Sequence, residues 1–299
     1  MSSVKSKIRG VIPAVPTPFD MAGHVAEQPL RDLIDFMISH SVNCLFICGG
    51  DGEGLKMTTE ERKKVTETVV DHTKRRIPII VHVGSASVET AIDLAKHAEK
   101  TGADALAAVQ PYYYSFDDEG IIEFYRSVCS STKLPFLIYN NPWRTHNKIT
   151  LETMRKLAKL PNVIGCKDTS GDIRYALSVC RDLQDFTVIV GEEALFYSAC
   201  FFNDLSGAIS GISSSCPEPY VEAWKAFKEG DRTRIREAQF KLITLEDLFE
   251  QVGYTAALKE ALRIRHVCDP GPMIAPFHDL SAENKMILKR GLESLGFES

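Results

Sequence analysis

The sequence predicts a (β/α)8 TIM barrel, an α/β fold of eight parallel strands closed in a ring, with a C-terminal helical extension. Three observations predict it. Short β-branched or apolar runs alternate with longer amphipathic stretches eight times between Gly10 and Lys228. The short runs are continuously apolar, as strands buried on both faces of a parallel sheet are. After Lys228 the alternation stops and only helical patterns remain, which divides the chain into a barrel over 1–230 and an extension over 231–299. An open doubly wound sheet would share the repeat. Against it, no G-x-G-x-x-G follows the first run, and Gly49-Gly50-Asp51-Gly52 after the second lacks the spacing.

The elements follow in order. Gly10 to Val15 is the first run, with helical periodicity from Glu27 to His40. Cys44 to Cys48 is the second, and Thr58 with Glu61 has capping-box spacing for the helix after it. Ile77 to Val83 precedes a helix from Val88 to Lys100, and Ala105 to Val109 one from Glu119 to Ser130. Pro135 to Tyr139, Val163 to Lys167, Phe186 to Val190 and Gly207 to Ser210 complete the ring. Their helices are expected over Leu151 to Lys159, Ile173 to Leu183, Ala194 to Phe202 and Pro219 to Lys228. Arg232 to Phe249 and Tyr254 to Val267 read as helices with no strand between them, Asp269-Pro270-Gly271-Pro272 breaks the chain, and Ser281 to Leu295 closes it.

Composition narrows the function. Hydrophobic residues make up 44% of the 299 and charged residues 25%, enough apolar material for a folded core. No apolar run approaches the ~18 residues that span a bilayer. The net charge of −5 argues against a polyanion, so no nucleic acid is expected as a partner, while a small anionic substrate needs only a local positive site. None of the eight cysteines forms a C-x-x-C pair, and the eight histidines show no metal-binding spacing. Met1 to Lys5 lacks the apolar core of a signal peptide, so a reducing cytoplasm is expected.

A barrel places its active site at the C-terminal ends of the strands. The sixth run ends in Gly165-Cys166-Lys167-Asp168-Thr169. Strand alternation puts Gly165 and Lys167 on one face, leaving room for the lysine stem inside the ring. Burial there lowers the pKa of an amine and frees it to attack a carbonyl. The pattern alone leaves open a lysine that simply runs out to solvent. The fifth run ends in Tyr139, a phenol able to relay a proton or to pack in the core, and Arg144 follows, a partner for a carboxylate or a surface charge. Tyr112-Tyr113-Tyr114 after the fourth run suits a site wall, a subunit interface or both. The glycines at 49, 50, 52 and 54 suit an anion-binding backbone or an ordinary tight turn.

Taken together the motifs resemble one family over the whole chain, the dihydrodipicolinate synthase and N-acetylneuraminate lyase family of pyruvate-dependent class I aldolases. They are Gly10-Val11-Ile12-Pro13-Ala14 with Thr17-Pro18-Phe19, Gly49 to Glu53, Pro111-Tyr112-Tyr113, Tyr139-Asn140-x-Pro142, Gly165-x-Lys167-Asp168, Gly191-Glu192-Glu193 and Gly207-x-Ile209-Ser210. The resemblance implies that Lys167 forms a Schiff base with pyruvate or another 2-oxo acid and that Tyr139 shuttles the proton. It implies that the turn at Gly50 and Asp51 receives the carboxylate, and that Tyr113 reaches into a neighbour's site. Thr169, Glu193 and Ser210 match positions that hold a polyol tail, and Ile209 lies where the family packs against bound pyruvate. No metal or organic cofactor is implied, and the assembly is a homotetramer, a dimer of dimers.

Two departures stand out. The family turn is usually G-T-T-G-E or G-S-T-G-E, and here Gly50 lacks the hydroxyl that joins the proton relay in the synthases. Asp51 sets a carboxyl group beside the carboxylate pocket. Two anions ~4 Å apart repel by roughly 4 kcal/mol at an effective dielectric near 20, so Asp51 must turn away, hold a proton or pair with a cation such as Arg144. Specificity signals conflict as well. Arg144 suits the synthases, which hold the carboxylate of an aldehyde substrate, whereas Glu193 and Ser210 suit the sugar-acid lyases, whose second acid is here Ala194. The expected function is a lyase that condenses pyruvate with, or cleaves it from, an aldehyde or a 2-keto-3-deoxy sugar acid. A 4-hydroxy-tetrahydrodipicolinate synthase, a sugar-acid dehydratase using the same early steps, and a non-catalytic metabolite-binding barrel are the alternatives.

Overall fold

Parallel neighbours cannot be joined by tight turns, so each strand needs a crossover, and here helices supply it. The structure, a computed structural model, describes residue 4, residues 6–196 and residues 205–298. Its strands are β1 (Gly10–Pro13), β2 (Leu45–Ile47), β3 (Ile79–His82), β4 (Ala105–Val109), β5 (Phe136–Asn140), β6 (Val163–Asp168), β7 (Thr187–Val190) and β8 (Gly207–Ser210). Each pairs in parallel with the next from β2 to β8, and β8 pairs with β1 from Gly10↔Gly207 to Pro13↔Ser210. The ring closes between β1 and β2. Asn43 N–H donates to Val11 O at 2.8 Å and Val15 N–H to Phe46 O at 2.9 Å.

The helices are α1 (Glu27–Ser39), α2 (Thr59–Thr73), α3 (Val88–Thr101), α4 (Asp118–Ser130), α5 (Pro142–Thr145), α6 (Leu151–Leu157), α7 (Ile173–Asp182), α8 (Glu218–Glu229), α9 (Arg232–Val252), α10 (Tyr254–Ile264) and α11 (Ala282–Ser294). Local chemistry fixes their starts. Thr58 and Glu61 form the expected capping box, with hydrogen bonds of 3.2 and 2.9 Å. Short α5 is an element the periodicity does not announce. Pro142 opens it and the Asn141 side chain accepts the Arg144 N–H at 3.3 Å. The helix expected over Ala194 to Phe202 begins instead with a 3₁₀ turn, Glu193–Leu195, and residues 197–202 of it lie outside the described residues.

Side-chain alternation makes two cores. Ile12, Phe46, Ile80, Leu137, Ile189 and Ile209 fill the ring, while Leu33, Val69, Ala95 and Phe124 belong to the layer between strands and helices. The β5–β6 pairing slips by one residue, so that Phe136 faces Val163 and Leu137 faces Gly165. That slip sets Tyr139 directly beside Lys167. Helix α9 packs along α8 and against the 3₁₀ turn after β7, where Gln239 Nε2 donates to Glu193 O at 3.0 Å. Among the described residues no helix is long and apolar enough to cross a membrane.

Candidate active site

A cavity of about 490 Å³ opens at the C-terminal ends of the strands. Lys167 reaches it from β6 and is only 5% exposed. Its Nζ has no hydrogen bond or ion pair among the described residues. It sits 4.5 Å from the Phe46 ring centroid and 4.2 Å from that of Tyr139. Gly191 makes the space, since a Cβ there would lie 3.0 Å from Lys167 Cε, whereas one on Gly165 would lie 2.1 Å from Thr187 O on the neighbouring strand. The amine is thus held between aromatic faces with its reactive atom unencumbered.

Tyr139, one strand over, accepts a 3.1 Å hydrogen bond from Asn141 Nδ2, which leaves its own O–H proton without a described acceptor. His82 stands edge-on to it at 5.9 Å between ring centroids. Because a carbonyl only accepts, His82 Nδ1 carries the proton it donates to Cys48 O at 3.1 Å, and Nε2 accepts from Val109 N–H at 3.1 Å. Burial, with Arg62 and Lys167 nearby, pushes this imidazole well below its usual pKa. It is a neutral, fully engaged brace, set inside the apolar run from Ile77 to Val83. Burial also raises the neighbouring thiols, Cys48 to about 11 and Cys166 well above its usual value, which disfavours a thiolate at either.

The turn after β2 is shaped for an anion. The N–H groups of Gly50, Asp51 and Gly52 donate to no described residue, while Glu53 N–H and Gly54 N–H close the turn on Gly50 O and Gly49 O at 3.0 and 2.9 Å. A Cβ on Gly50 would meet nothing within 4 Å, so the place of the missing hydroxyl is open. Asp51 does not pair with Arg144 as expected. Its Oδ2 lies 2.9 Å from where a Gly211 Cβ would be, on the β8 side of the cavity. Burial pushes its carboxyl up, and Lys167 and Arg144 counter this only electrostatically. Of the three options open to it, Asp51 forms no ion pair among the described residues, stays on the cavity wall and is biased by burial toward holding a proton.

Of the residues singled out by sequence, Lys167, Tyr139, Gly50, Asp51, Arg144, Thr169, Glu193 and Ile209 line this one cavity. Ser210 does not. It follows inward-facing Ile209 on β8, so its Oγ turns outward to donate to Glu193 Oε1 at 2.5 Å, beside the Tyr220 hydroxyl at 2.8 Å. Tyr220 and Tyr254 hydroxyls also donate to that Glu193 oxygen, at 3.3 and 3.1 Å. Glu193 is 4% exposed, and burial, partly offset by Ser210, raises its pKa. Thr169 Oγ1 is buried without a partner among the described residues. Tyr113 is likewise absent from this cavity. It is 83% exposed with a left-handed backbone (φ 79°), while Tyr112 lines the wall. Glu246, Glu250, Tyr254 and Phe277 line the cavity from the extension, which strand ends alone could not reveal. Among the described residues no group of His, Cys, Asp and Glu is arranged to hold a metal.

A sequence profile of the dihydrodipicolinate synthetase family matches residues 7–295. The chain belongs to that family. The 4-hydroxy-tetrahydrodipicolinate synthase of Syntrophus aciditrophicus is 32% identical, over 96% of this chain and 98% of its own. N-acetylneuraminate lyase 2 of Escherichia coli is 30% identical over 98% and 96%. Among solved structures, a prophage protein of the dihydrodipicolinic acid synthase family from E. coli K12, in complex with pyruvate, superposes with a TM-score of 0.93 at 28% identity, covering 97% of this chain and 99% of that one. Membership in the dihydrodipicolinate synthetase family supports a lyase of the pyruvate-dependent aldolase kind.

Proposed function

We propose that this chain is a Schiff-base lyase that joins pyruvate to, or splits it from, an aldehyde or a 2-keto-3-deoxy sugar acid. The observation that carries the reading is the pair Lys167 and Tyr139, in register on β5 and β6, with the amine unpartnered in the cavity. Lys167 Nζ adds to the ketone carbon of pyruvate and water leaves, giving a protonated imine. Loss of a C3 proton makes the enamine, whose C3 attacks the aldehyde carbon. The Tyr139 O–H gives its proton to the oxygen that becomes the C4 hydroxyl, and takes it back in cleavage. Water then releases the product from Lys167. The free N–H groups of Gly50 and Asp51 suit the pyruvate carboxylate. Tyr113 would act in a neighbouring copy within a tetramer, a role supported by its exposure and its left-handed backbone. Incubation with pyruvate followed by borohydride should add the mass of one reduced pyruvate to the protein, and no gain would overturn the reading.

The second substrate should not carry a distal carboxylate. Among the described residues Glu192, Glu246 and Glu250 line the cavity without an ion-pair partner, and they outnumber Arg144, an unpaired cation that also lines it. Burial and the neighbouring Glu193 and Glu192 raise Glu246 to about 7. Among aldehydes of one skeleton, kcat/KM should fall from amine-bearing to hydroxyl-bearing to carboxyl-bearing, by about tenfold per unit of charge. The discrimination should widen as pH rises through 7 and Glu246 ionises. An equal or inverted order in competition assays would refute this.

Gly50 offers a gain-of-function check. Its φ is not left-handed and its Cβ direction is empty, so Gly50→Ser should raise unfolding free energy by about 0.4–1 kcal/mol. The restored hydroxyl should also speed deuterium exchange at C3 of bound pyruvate several-fold. Slower exchange in a stable variant would show that the open space, not a hydroxyl, serves the chemistry.

A further inference from the structure

The turn that faces the 2-oxo acid is bracketed by two residues in left-handed backbone, Cys48 (φ 59°) and Glu53 (φ 55°). Neither is a residue type that favours this region, so surrounding structure must hold them there. For Glu53 that structure is visible. Its side chain is 0% exposed and pairs with Lys259 Nζ at 2.7 Å and with Lys56 Nζ at 2.8 Å. Its Oε2 also accepts Ile274 N–H at 2.9 Å. Lys259, with a side chain 2% exposed on α10, donates onward to Pro272 O at 2.9 Å and stands 4.4 Å from the Phe19 ring centroid. Lys56 donates to Ile274 O and stacks on Phe277, which itself lines the cavity. One carboxylate therefore joins the barrel turn, α10 of the extension and the segment from Pro272 to Phe277.

The ties to the turn's own backbone are few. Among the described residues Thr17 Oγ1 donates to Gly52 O at 2.7 Å and His82 Nδ1 to Cys48 O at 3.1 Å, and the rest are the turn's internal bonds. Removing the clamp would let Glu53 relax out of its left-handed conformation and shift the Gly50 and Asp51 N–H groups, which no described residue engages.

We infer that Glu53 and Lys259 are positioning residues that set the carboxylate-binding turn, so that the helical extension is a working part of the active site. This rests on the Schiff-base reading above, and it concerns binding of the 2-oxo acid rather than the bond-making step. Lys167 and Tyr139 stand on other strands and keep their places without it.

The test uses Glu53→Gln/Lys259→Met, which removes both charges and leaves no buried ion alone. Circular dichroism confirms folding, and borohydride trapping is titrated against pyruvate. Half-saturation should rise at least tenfold, while the adduct formed at saturating pyruvate and kcat with saturating substrates stay within about twofold of the unaltered protein. Lys56→Met, whose side chain reaches solvent, removes one link without stranding Glu53 and should raise half-saturation about threefold; it carries the test if the double variant does not fold. No adduct with the unaltered protein overturns the Schiff-base reading, and this inference with it. An adduct whose half-saturation is unmoved in the folded variants, or a fall in kcat with half-saturation unchanged, overturns this inference alone.

Discussion

Lys167→Met should trap no pyruvate and turn over at least about 10⁴-fold more slowly, yet unfold at the same temperature as the unaltered protein or a higher one. The first half follows from the nucleophile. Without the amine no imine forms, and the electron sink that makes C3 acidic is lost, so the effect should match removal of a covalent nucleophile elsewhere. The second half follows from the setting. The amine is 5% exposed between Phe46 and Tyr139 and has no hydrogen-bond acceptor or ion-pair partner among the described residues. A buried polar group without partners is unfavourable, and methionine fills the same volume with a polarisable thioether that packs well on aromatic rings. Lys167→Arg should also trap nothing, because guanidinium does not form the imine. Differential scanning calorimetry and mass spectrometry of the reduced adduct check both halves. A Lys167→Met protein that still gains mass would place the reactive amine elsewhere, and one that unfolds many degrees lower would mean the lysine was bound to something supporting the fold.

The same contrast between chemistry and packing explains which features could be read before the fold was known. The ring was legible because strands buried on both faces must be continuously apolar, and Gly10 to Val15 or Ile77 to Val83 can be little else. Lys167 and Tyr139 were legible because each is a polar end to such a run. His82 interrupts the run from Ile77 to Val83 as the one ionisable residue in it, so the signal for it was present. Ser210 could not be placed, because adjacent strand residues face opposite ways and only Ile209's place in the ring core fixes which. The contact of Tyr139 with Lys167 depends on a one-residue slip between β5 and β6 that no pattern encodes. Asp51 was recognisable as a conflict, but the burial that biases it toward holding a proton is a property of the folded cavity. The contributions of Glu246, Tyr254 and Lys259 were hidden for one reason. Helical periodicity says that a face is buried, not which surface buries it.

Tyr139→Phe should preserve the adduct and lower turnover by 10²–10⁴-fold, the range for loss of a positioned general acid or base. Phenylalanine keeps the ring 4.2 Å from Lys167 Nζ and its edge contacts with Phe46 and His82, so pyruvate should still bind and form the imine. What is lost is the O–H proton needed at the C4 oxygen. His82 cannot replace it, since its Nδ1–H is committed to Cys48 O and its Nε2 to Val109 N–H, and burial keeps the ring neutral. Asn141 Nδ2 would lose the phenol as acceptor in a site where Asn141 is 8% exposed, which should lower unfolding free energy by about 1–3 kcal/mol. The variant is therefore expected to be somewhat less stable but chemically arrested after imine formation, the reverse of Lys167→Met on both measures. Rapid-quench trapping during turnover separates the steps. Full-amplitude adduct with slow carbon–carbon bond formation supports the assignment. An adduct that fails to form would instead give Tyr139 a role in making the imine, and turnover within tenfold of the unaltered protein would mean that the proton reaches C4 by another path, for which the open space beside Gly50 leaves room for water.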